Sequence, residues 1–454
     1  MSAVSTFRLP ALSRLTLAAA LTLGAAPFAQ AQSLQELYDT ARGYDATYLA
    51  SRALADSAQY RAAQAHALRR PKVDATVGAT RSTNDTTFNG NEVTDSTTKA
   101  TAANLIASQS LFNRANDASI SQADLSEESA RADLQIAEQE LIVRVAQSYF
   151  DVLAAQDALT TAQASKKAIS EQLASAKRNF EVGTATITDT REAQARYDLA
   201  TAQEIGADND LLTKRIALDQ LVGRTGVQPK PLAVPVALPP VVPSNVEEWV
   251  SQTDTAPAVR KAKLGYDVAQ LETSKARAGH LPTLGLSASY GRTHSDTTGQ
   301  ALQAGNIGKA NVNQSSIGVL LNVPLFAGYS VQNRVKETLS LEEQSRNTLE
   351  AARRSVAQAT RQTYFGVQSL QAQVAALEAA ESSSQVALEA TQLGYKVGVR
   401  VNLDVLNAQT QLFTTKRDLA KARYDVLVNS LKLRQASGQL KPEDVGAVNA
   451  MLAK

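Results

Sequence analysis

The sequence contains no cysteine in 454 residues, which excludes disulfides, thiolate metal sites and a lipid-modified N-terminal cysteine. It has only three histidines, at positions 66, 280 and 294, and neither a phosphate-cradling glycine loop nor a nucleophile elbow. An enzyme would have almost nothing to work with, and no cofactor is expected. Long hydrophobic runs are missing as well. The one apolar stretch of note, Leu15 to Ala26, follows Arg8 and Arg14 and precedes Ala29-Gln30-Ala31. This is the order of a cleavable secretory signal, too short to span a bilayer, which takes about 20 apolar residues. We read residues 1–31 as that signal, cleaved before Gln32. Without a membrane-spanning helix, entry into a membrane would require a β-barrel. An excess of positive charge is also lacking. The signal removes two of the 46 basic residues and none of the 44 acidic ones, leaving a neutral mature chain that offers nucleic acid no basic face.

What is present is a repeat. At an offset of 215, Tyr149-Phe150 aligns with Tyr364-Phe365, Val182-Gly183 with Val397-Gly398, Asp189 with Asp404 and Gly223 with Gly438. Upstream the offset shrinks, Leu111-Phe112 matching Leu325-Phe326 and Pro71 matching Pro282, so the drift falls in loops, as in an ancient duplication. We divide the chain into a first repeat at 32–226, a proline-rich linker at 227–244, a second repeat at 245–440 and a tail at 441–454. The linker carries prolines at 229, 231, 235, 239, 240 and 243, a composition that favours extended, semi-rigid chain.

Each repeat reads as helix, strand, loop, strand, very long helix, turn and return helix. From Asn113 to Val182 there is neither proline nor glycine, and helix formers dominate, so a single helix of roughly 70 residues and about 105 Å is expected. Gly183 and Gly223 are placed to cap the long and return helices. The entering helix, about Leu34 to Arg70, and the return helix would together match the rod if stacked end to end. In the second repeat Val405, Leu412, Leu419, Val426 and Leu433 recur every seven residues, the seam of a left-handed coiled coil.

Four segments alternate with period two. Leu284, Leu286, Ala288 and Tyr290 share one face of a strand after Pro282; Ile317, Val319, Leu321, Val323 and Leu325 share another; Val73, Ala75, Val77 and Ala79 form a third; Ala100 to Phe112 is the least regular. Strands of about ten residues are expected, joined by exposed polar loops at Arg81–Lys99 and Gly291–Asn313. Four strands cannot close a barrel, and an open edge in hydrocarbon would leave unpaired backbone groups at several kcal/mol each. Several copies must close it together.

The run Gly394-Tyr-Lys-Val-Gly-Val-Arg-Val-Asn-Leu-Asp-Val-Leu-Asn-Ala-Gln409, with Ala420-Lys-Ala-Arg-Tyr-Asp425 and Ala436-Ser-Gly-Gln-Leu440, resembles the signature of the TolC family of outer-membrane export channels. Phe180-Glu-Val-Gly-Thr-Ala-Thr-Ile-Thr-Asp189 resembles its first-repeat counterpart. The resemblance implies a mainly α fold with a small β part: a long α-helical coiled-coil barrel below a trimeric twelve-stranded outer-membrane β-barrel, four strands per chain. It implies a homotrimer embedded in outer-membrane lipid, working with a periplasmic adaptor and an inner-membrane transporter to export small molecules or type I secreted proteins. Carried over by position, it implies a periplasmic gate at Thr188, Asp189, Tyr395, Arg400, Asp404 and Asn407, with links from Tyr395 to Asp189 and from Arg400 to Thr188. Asp404 would form a carboxylate ring at the constriction; a second acid expected three residues later is Asn407 here, which should weaken cation selection. Val182, Gly183 and Thr184, with Val397, Gly398 and Val399, would be the tips that meet the adaptor. The competing reading is a periplasmic structural or adaptor coiled coil that never enters a membrane.

Overall fold

A computed structural model describes residues 31–88, 91–236, 238–300 and 308–453. Most of the expected signal segment, residues 1–30, lies outside them. The first repeat runs α1 (Leu34–Tyr44), α2 (Ala46–His66), β1 (Lys72–Phe88), β2 (Asn91–Phe112), α3 (Arg114–Glu181) and α4 (Ile187–Val222). The second runs α5 (Val246–Ser251), α6 (Pro257–Ala278), β3 (Thr283–Gln300), β4 (Gly308–Asn322), α7 (Ser330–Lys396) and α8 (Asn402–Ala436), and α9 (Pro442–Asn449) follows.

The two rods form as expected. Helix α3 is 68 residues and α7 is 67 residues long, about 100 Å each. Asn113 caps α3 by accepting from the N–H groups of Ala115 and Asn116. The entering helix, expected to be continuous, is instead broken in both repeats. In the first, Asp45 interrupts it by capping Tyr48 N at 2.7 Å and pairing with Arg144 at 2.9 Å. In the second, Pro257 takes the N1 position of α6, where its missing N–H is no loss.

Near the sheet, α2, α3, α6 and α7 lie side by side; toward the other end α4 pairs with α3, α8 with α7, and α3 with α8. The short helices therefore do stack end to end along the rods. The junctions are the two capping glycines. Gly223, at φ +69°, faces the Tyr44 ring that ends α1, and Gly438, at φ +76°, faces the Ala256 backbone that starts α6. Higher up, a polar knot ties three helices together: Glu272 accepts from Gln122 at 2.9 Å and from Arg334 at 2.7 Å. The Gln122 hydrogen bond, with Arg334 and Lys275 beside it, holds the Glu272 carboxyl below its usual range.

The main core sits at mid-height, where α1, α3, α4, α8 and α9 meet around Tyr38, Tyr149, Phe150, Leu218, Leu427 and Leu431. The proline-rich segment is more than a linker, because it is part of this packing. Val227 and Leu232 are buried in the core, Gln32 pairs with Pro229, and the Tyr149 hydroxyl donates to the carbonyl of Lys230 at 2.9 Å. Its repeat mate Tyr364 donates to the Ser244 carbonyl, and Gln371 to that of Pro239 at 2.9 Å. Likewise the tail folds: Val445, Val448 and Leu452 join the core, and Leu452 bridges to Leu232. The paired aromatics differ between repeats, Phe150 being buried and Phe365 half exposed.

The heptad seam of α8 is buried at every position, Val405, Leu412, Leu419, Val426 and Leu433, in contact with α7 residues such as Leu388, Val374 and Val367. The Lys421–Asp425 segment adds polar ties. Arg423 reaches Glu378 of α7 at 2.7 Å, and the Tyr424 hydroxyl donates to Asp157 of α3 at 2.6 Å. Burial raises the Asp157 carboxyl above its ordinary value, with the tyrosine bond pulling the other way. A raised folded-state value means that this group's stability is full below the unfolded value near 4 and is lost as pH rises through the folded one. Asp157→Asn is therefore expected to be at least as stable as the parent at pH 7 and to lose that advantage toward pH 4, read as thermal midpoints across pH. A constant difference between the two would contradict it.

Candidate functional site

Two regions stand out, the four-stranded sheet at one end and the paired turns at the other. The sheet is antiparallel in the order β1-β2-β3-β4. Its strands are 15 to 22 residues long, so the segments expected to be loops are largely extensions of the hairpins. Arg81 pairs with Lys99 and Arg292 with Asn313. The polar residues there satisfy their backbone groups in the ladder, so polarity alone does not release them from it. The irregular second strand turns out to be the longest, paired on both sides.

Register puts most of the apolar side chains on one face, with Ile106 and Leu320 on the other. Val73 pairs with Ala107, Leu105 with Tyr290, Leu286 with Val319 and Leu284 with Leu321. Many of them are open to solvent, Val77 at 85% and Ile317 at 79%. Asp74, Thr76, Asn104, Ser287, Ser289, Ser316 and Gln314 line the opposite face. An apolar outer face with a polar inner one is the membrane-barrel pattern. Among the described residues no helix is long and apolar enough to cross a membrane.

At the other end, both turns are built alike. The Asn179 carbonyl accepts from the N–H groups of Thr184 and Ala185, and its repeat mate Gly394 accepts from Val399 and Arg400. Gly183 and Gly398 take φ of +78° and +81° with open space around them, the left-handed conformation that glycine adopts freely. The tip side chains project: Val182 is 72%, Val397 65% and Val399 75% exposed, and Thr184 is exposed too.

The helices that leave the turns are capped unequally. Thr186 caps α4 in a reciprocal box with Asp189, at 3.2 and 2.9 Å. In α8 the matching residue is Val401, which has no side-chain acceptor, and Asp404 accepts from the Val401 N–H only at 3.4 Å. The expected links do not form within one chain. Tyr395 is not joined to Asp189; its hydroxyl accepts from Asn179 at 3.1 Å. Arg400, in the turn before α8, lies 3.7 Å from Asp404 in the first turn of that helix, and not on the exposed Thr188. The one carboxylate those links required, Asp189, is already engaged in capping by the Thr186 N–H and hydroxyl.

Other residues join the two hairpins. Buried Asn402 accepts from Gln172 and donates to the Asp189 carbonyl at 3.4 Å, and Arg196 donates to Asn407 at 2.9 Å. The sequence carried one signal for Asn402: with Gln409, seven residues on, it stands three residues before Val405 and Leu412 of the apolar seam, and both are buried. Asn179, Gln172 and Arg196 gave none. No metal-binding group of histidine and acidic residues occurs among the described residues.

The duplication, the rods and the sheet together identify a lineage. A model of the outer membrane efflux protein family matches residues 37–224 and 252–439, two stretches that start 215 residues apart, the offset of the internal repeat. The chain belongs to that family. Outer membrane protein TolC of Vibrio cholerae is 33% identical over 428 residues, covering 93% of this chain and 94% of the relative. Alkaline protease secretion protein AprF of Pseudomonas aeruginosa is 34% identical over 337 residues, 73% of this chain and 67% of the relative. The solved outer membrane protein VceC of Vibrio cholerae superposes with a TM-score of 0.75 at 19% identity, covering 89% of this chain and 96% of that one, which supports the fold. The protein is thus an outer-membrane export channel and not an enzyme, and the reading as a periplasmic coiled coil that stays out of the membrane is set aside.

Proposed function

We propose that three copies of the chain form one tunnel, closed at the turn end at rest, which carries small molecules and secreted proteins from an inner-membrane transporter and a periplasmic adaptor to the outside. One observation carries the reading. Among the described residues the sheet has two unpaired edges, β1 and β4, and β2 and β4 lead, through one and seven residues, into rods of 68 and 67 residues. Edges in lipid must be paired, and three copies give twelve strands, the number the TolC resemblance implies. Residues 1–31 direct secretion and are removed; Gln32, the first residue of the mature chain, is already held by its N–H to the Gln228 carbonyl at 2.8 Å.

The turns are the periplasmic mouth. Val182, Gly183 and Thr184, with Val397, Gly398 and Val399, receive the adaptor, because apolar knobs beside accessible glycine backbone suit a packed helical partner. The gate lies just above, at Thr188, Asp189, Tyr395, Arg400, Asp404 and Asn407, held within each chain by Asn179 to Tyr395 and Arg196 to Asn407. Each such link is worth about 0.5–1.5 kcal/mol, or up to about 3 where charged, small enough for a docking partner to overturn. Asp404 supplies one carboxylate ring, and Arg196 beside Asn407 sets a cation next to it, so cation selection should be weak.

The test is a strain lacking the gene, compared with the same strain carrying a plasmid copy, for susceptibility to detergents and hydrophobic antibiotics and for its secreted proteins. Hypersensitivity or a lost secreted protein, restored by the plasmid, is the expected result. If neither changes in a strain with no second channel of this family, the export role is wrong.

A further inference from the structure

The outward face of the sheet changes character along its length. Above the apolar rows comes a row in which Val77, Ala103, Arg292 and Asn313 lie side by side, then Ala79, Thr101, His294 and Asn311, then Arg81, Lys99, Asp296 and Lys309. Successive rows are two residues apart, so all of these share the apolar face. Arg292 is eight residues beyond Leu284, about 27 Å along the strand and about 20 Å in height at a tilt near 40°. The row of Lys309 is four residues further. An apolar band is about 25 Å tall, so these groups sit at its outer boundary, on the side of the hairpin turns and away from the rods.

The charge there is one-sided. Four cations, Arg81, Lys99, Arg292 and Lys309, accompany a single acid, Asp296, in these rows; the next acid outward on that face of β1 is Asp85. Among the described residues none of the four cations has an ion-pair partner, and all four are exposed. Arg81 and Lys99 stand directly opposite each other, a like-charge pairing that destabilises a sheet unless an anion lies between. Below them is a cavity of about 460 Å³ lined by Val77, Thr101, Ala103, Arg292, His294 and Asn311. Val77 and Ala103 in that lining continue the apolar band, and Thr101, Arg292, His294 and Asn311 are polar. His294 Nδ1 donates to Asn311 Oδ1 at 2.8 Å, fixing the ring against the cavity.

We propose that this rim is a docking surface for the phosphorylated headgroups of anionic lipid in the outer leaflet, with acyl chains on Val77 and Ala103 and phosphates on Arg81, Lys99, Arg292 and Lys309. Charge complementarity and continuity with the apolar band select this occupant. A phosphate takes charge-assisted hydrogen bonds from two neighbouring cations at once, which removes the Arg81–Lys99 repulsion. The inference rests on the reading of the sheet as a membrane barrel.

The experiment titrates the full-length protein in detergent with fluorescent bisphosphorylated lipid A and with its dephosphorylated form. Arg81→Gln with Lys99→Gln and Lys309→Gln should weaken binding of the phosphorylated lipid about tenfold, and the parent should bind the dephosphorylated form as weakly as the variant binds the phosphorylated one. Lys309→Gln alone, a single exposed change, should fall between parent and triple variant and keeps the test open if the triple variant does not fold. Equal affinity of parent and variants, or indifference of the parent to dephosphorylation, overturns the proposal. A parent that stays membrane-bound on washing while showing such indifference sinks the rim alone; a parent that washes off the membrane sinks the barrel reading beneath it.

Discussion

Gly438→Ala is expected to destabilise the protein by about 2–5 kcal/mol, the sum of about 1–2 for a side chain in the left-handed region and about 1–3 for forced overpacking. The added carbon would lie 2.4 Å from Ala256 Cα, 2.6 Å from Ala256 Cβ and 3.1 Å from Pro257 Cδ. None of these is the end of a flexible side chain. Pro257 fixes the backbone at the start of α6, and Gln139 donates to the Leu440 carbonyl at 3.0 Å just beyond the turn, so neither side can yield cheaply. Gly398→Ala is the control, because it shares the positive φ but has nothing within 4 Å and should cost only about 1–2 kcal/mol. Thermal midpoints of the two variants in detergent decide the matter. Equal losses would mean that α8 and α6 are not pressed together at that junction.

The second large effect concerns the gate. Asn179→Ala combined with Arg196→Ala should raise single-channel conductance in planar bilayers several-fold, by removing the donors of two of the bonds that tie the hairpins, at 3.1 and 2.9 Å. Two links of about 0.5–1.5 kcal/mol in each of three copies come to about 3–9 kcal/mol. Carrying a two-state equilibrium from 1:99 to 99:1 takes about 5.5 kcal/mol, so the pair is of the size needed. Tyr395→Phe with Arg400→Ser should open the channel less, and through Tyr395 alone. Arg400 pairs with Asp404 of its own hairpin at 3.7 Å, its side chain 61% exposed, and so holds nothing across the hairpins. An assembled channel whose conductance is unchanged by the Asn179 and Arg196 changes would refute this gate.

Much of the architecture was legible in the order of residues. The glycine-free, proline-free run from Asn113 to Val182 could be little but helix, and it ends within a residue of its expected limits. The α8 seam was readable because burial against a partner helix imposes a seven-residue period that a solvated face does not. The strand extensions were not, since Arg81 to Thr87 and Gly291 to Thr298 are polar by composition yet paired by register. Nor was the role of the prolines, for a segment that looks like a spacer can still offer carbonyls to Tyr149 and Tyr364.

The gate shows the boundary most clearly. Position along the chain located it, since the glycines that end α3 and α7 and the acids that begin α4 and α8 are fixed by local rules of capping. Which side chains meet there was decided only by how the rods cross. Asn179 and Tyr395, or Arg196 and Asn407, are more than 200 residues apart, and their contact depends on helix rotation and axial stagger that no local pattern encodes. By itself the sequence determined the duplication, the rods, the turns and the outward face of the strands, because each follows from the period of burial or the conformational freedom of single residues. Only the tertiary structure decided that Gly438 must stay bare, that Asn179 meets Tyr395, and that the outer rim gathers its cations, because each of these depends on which distant backbone lies alongside.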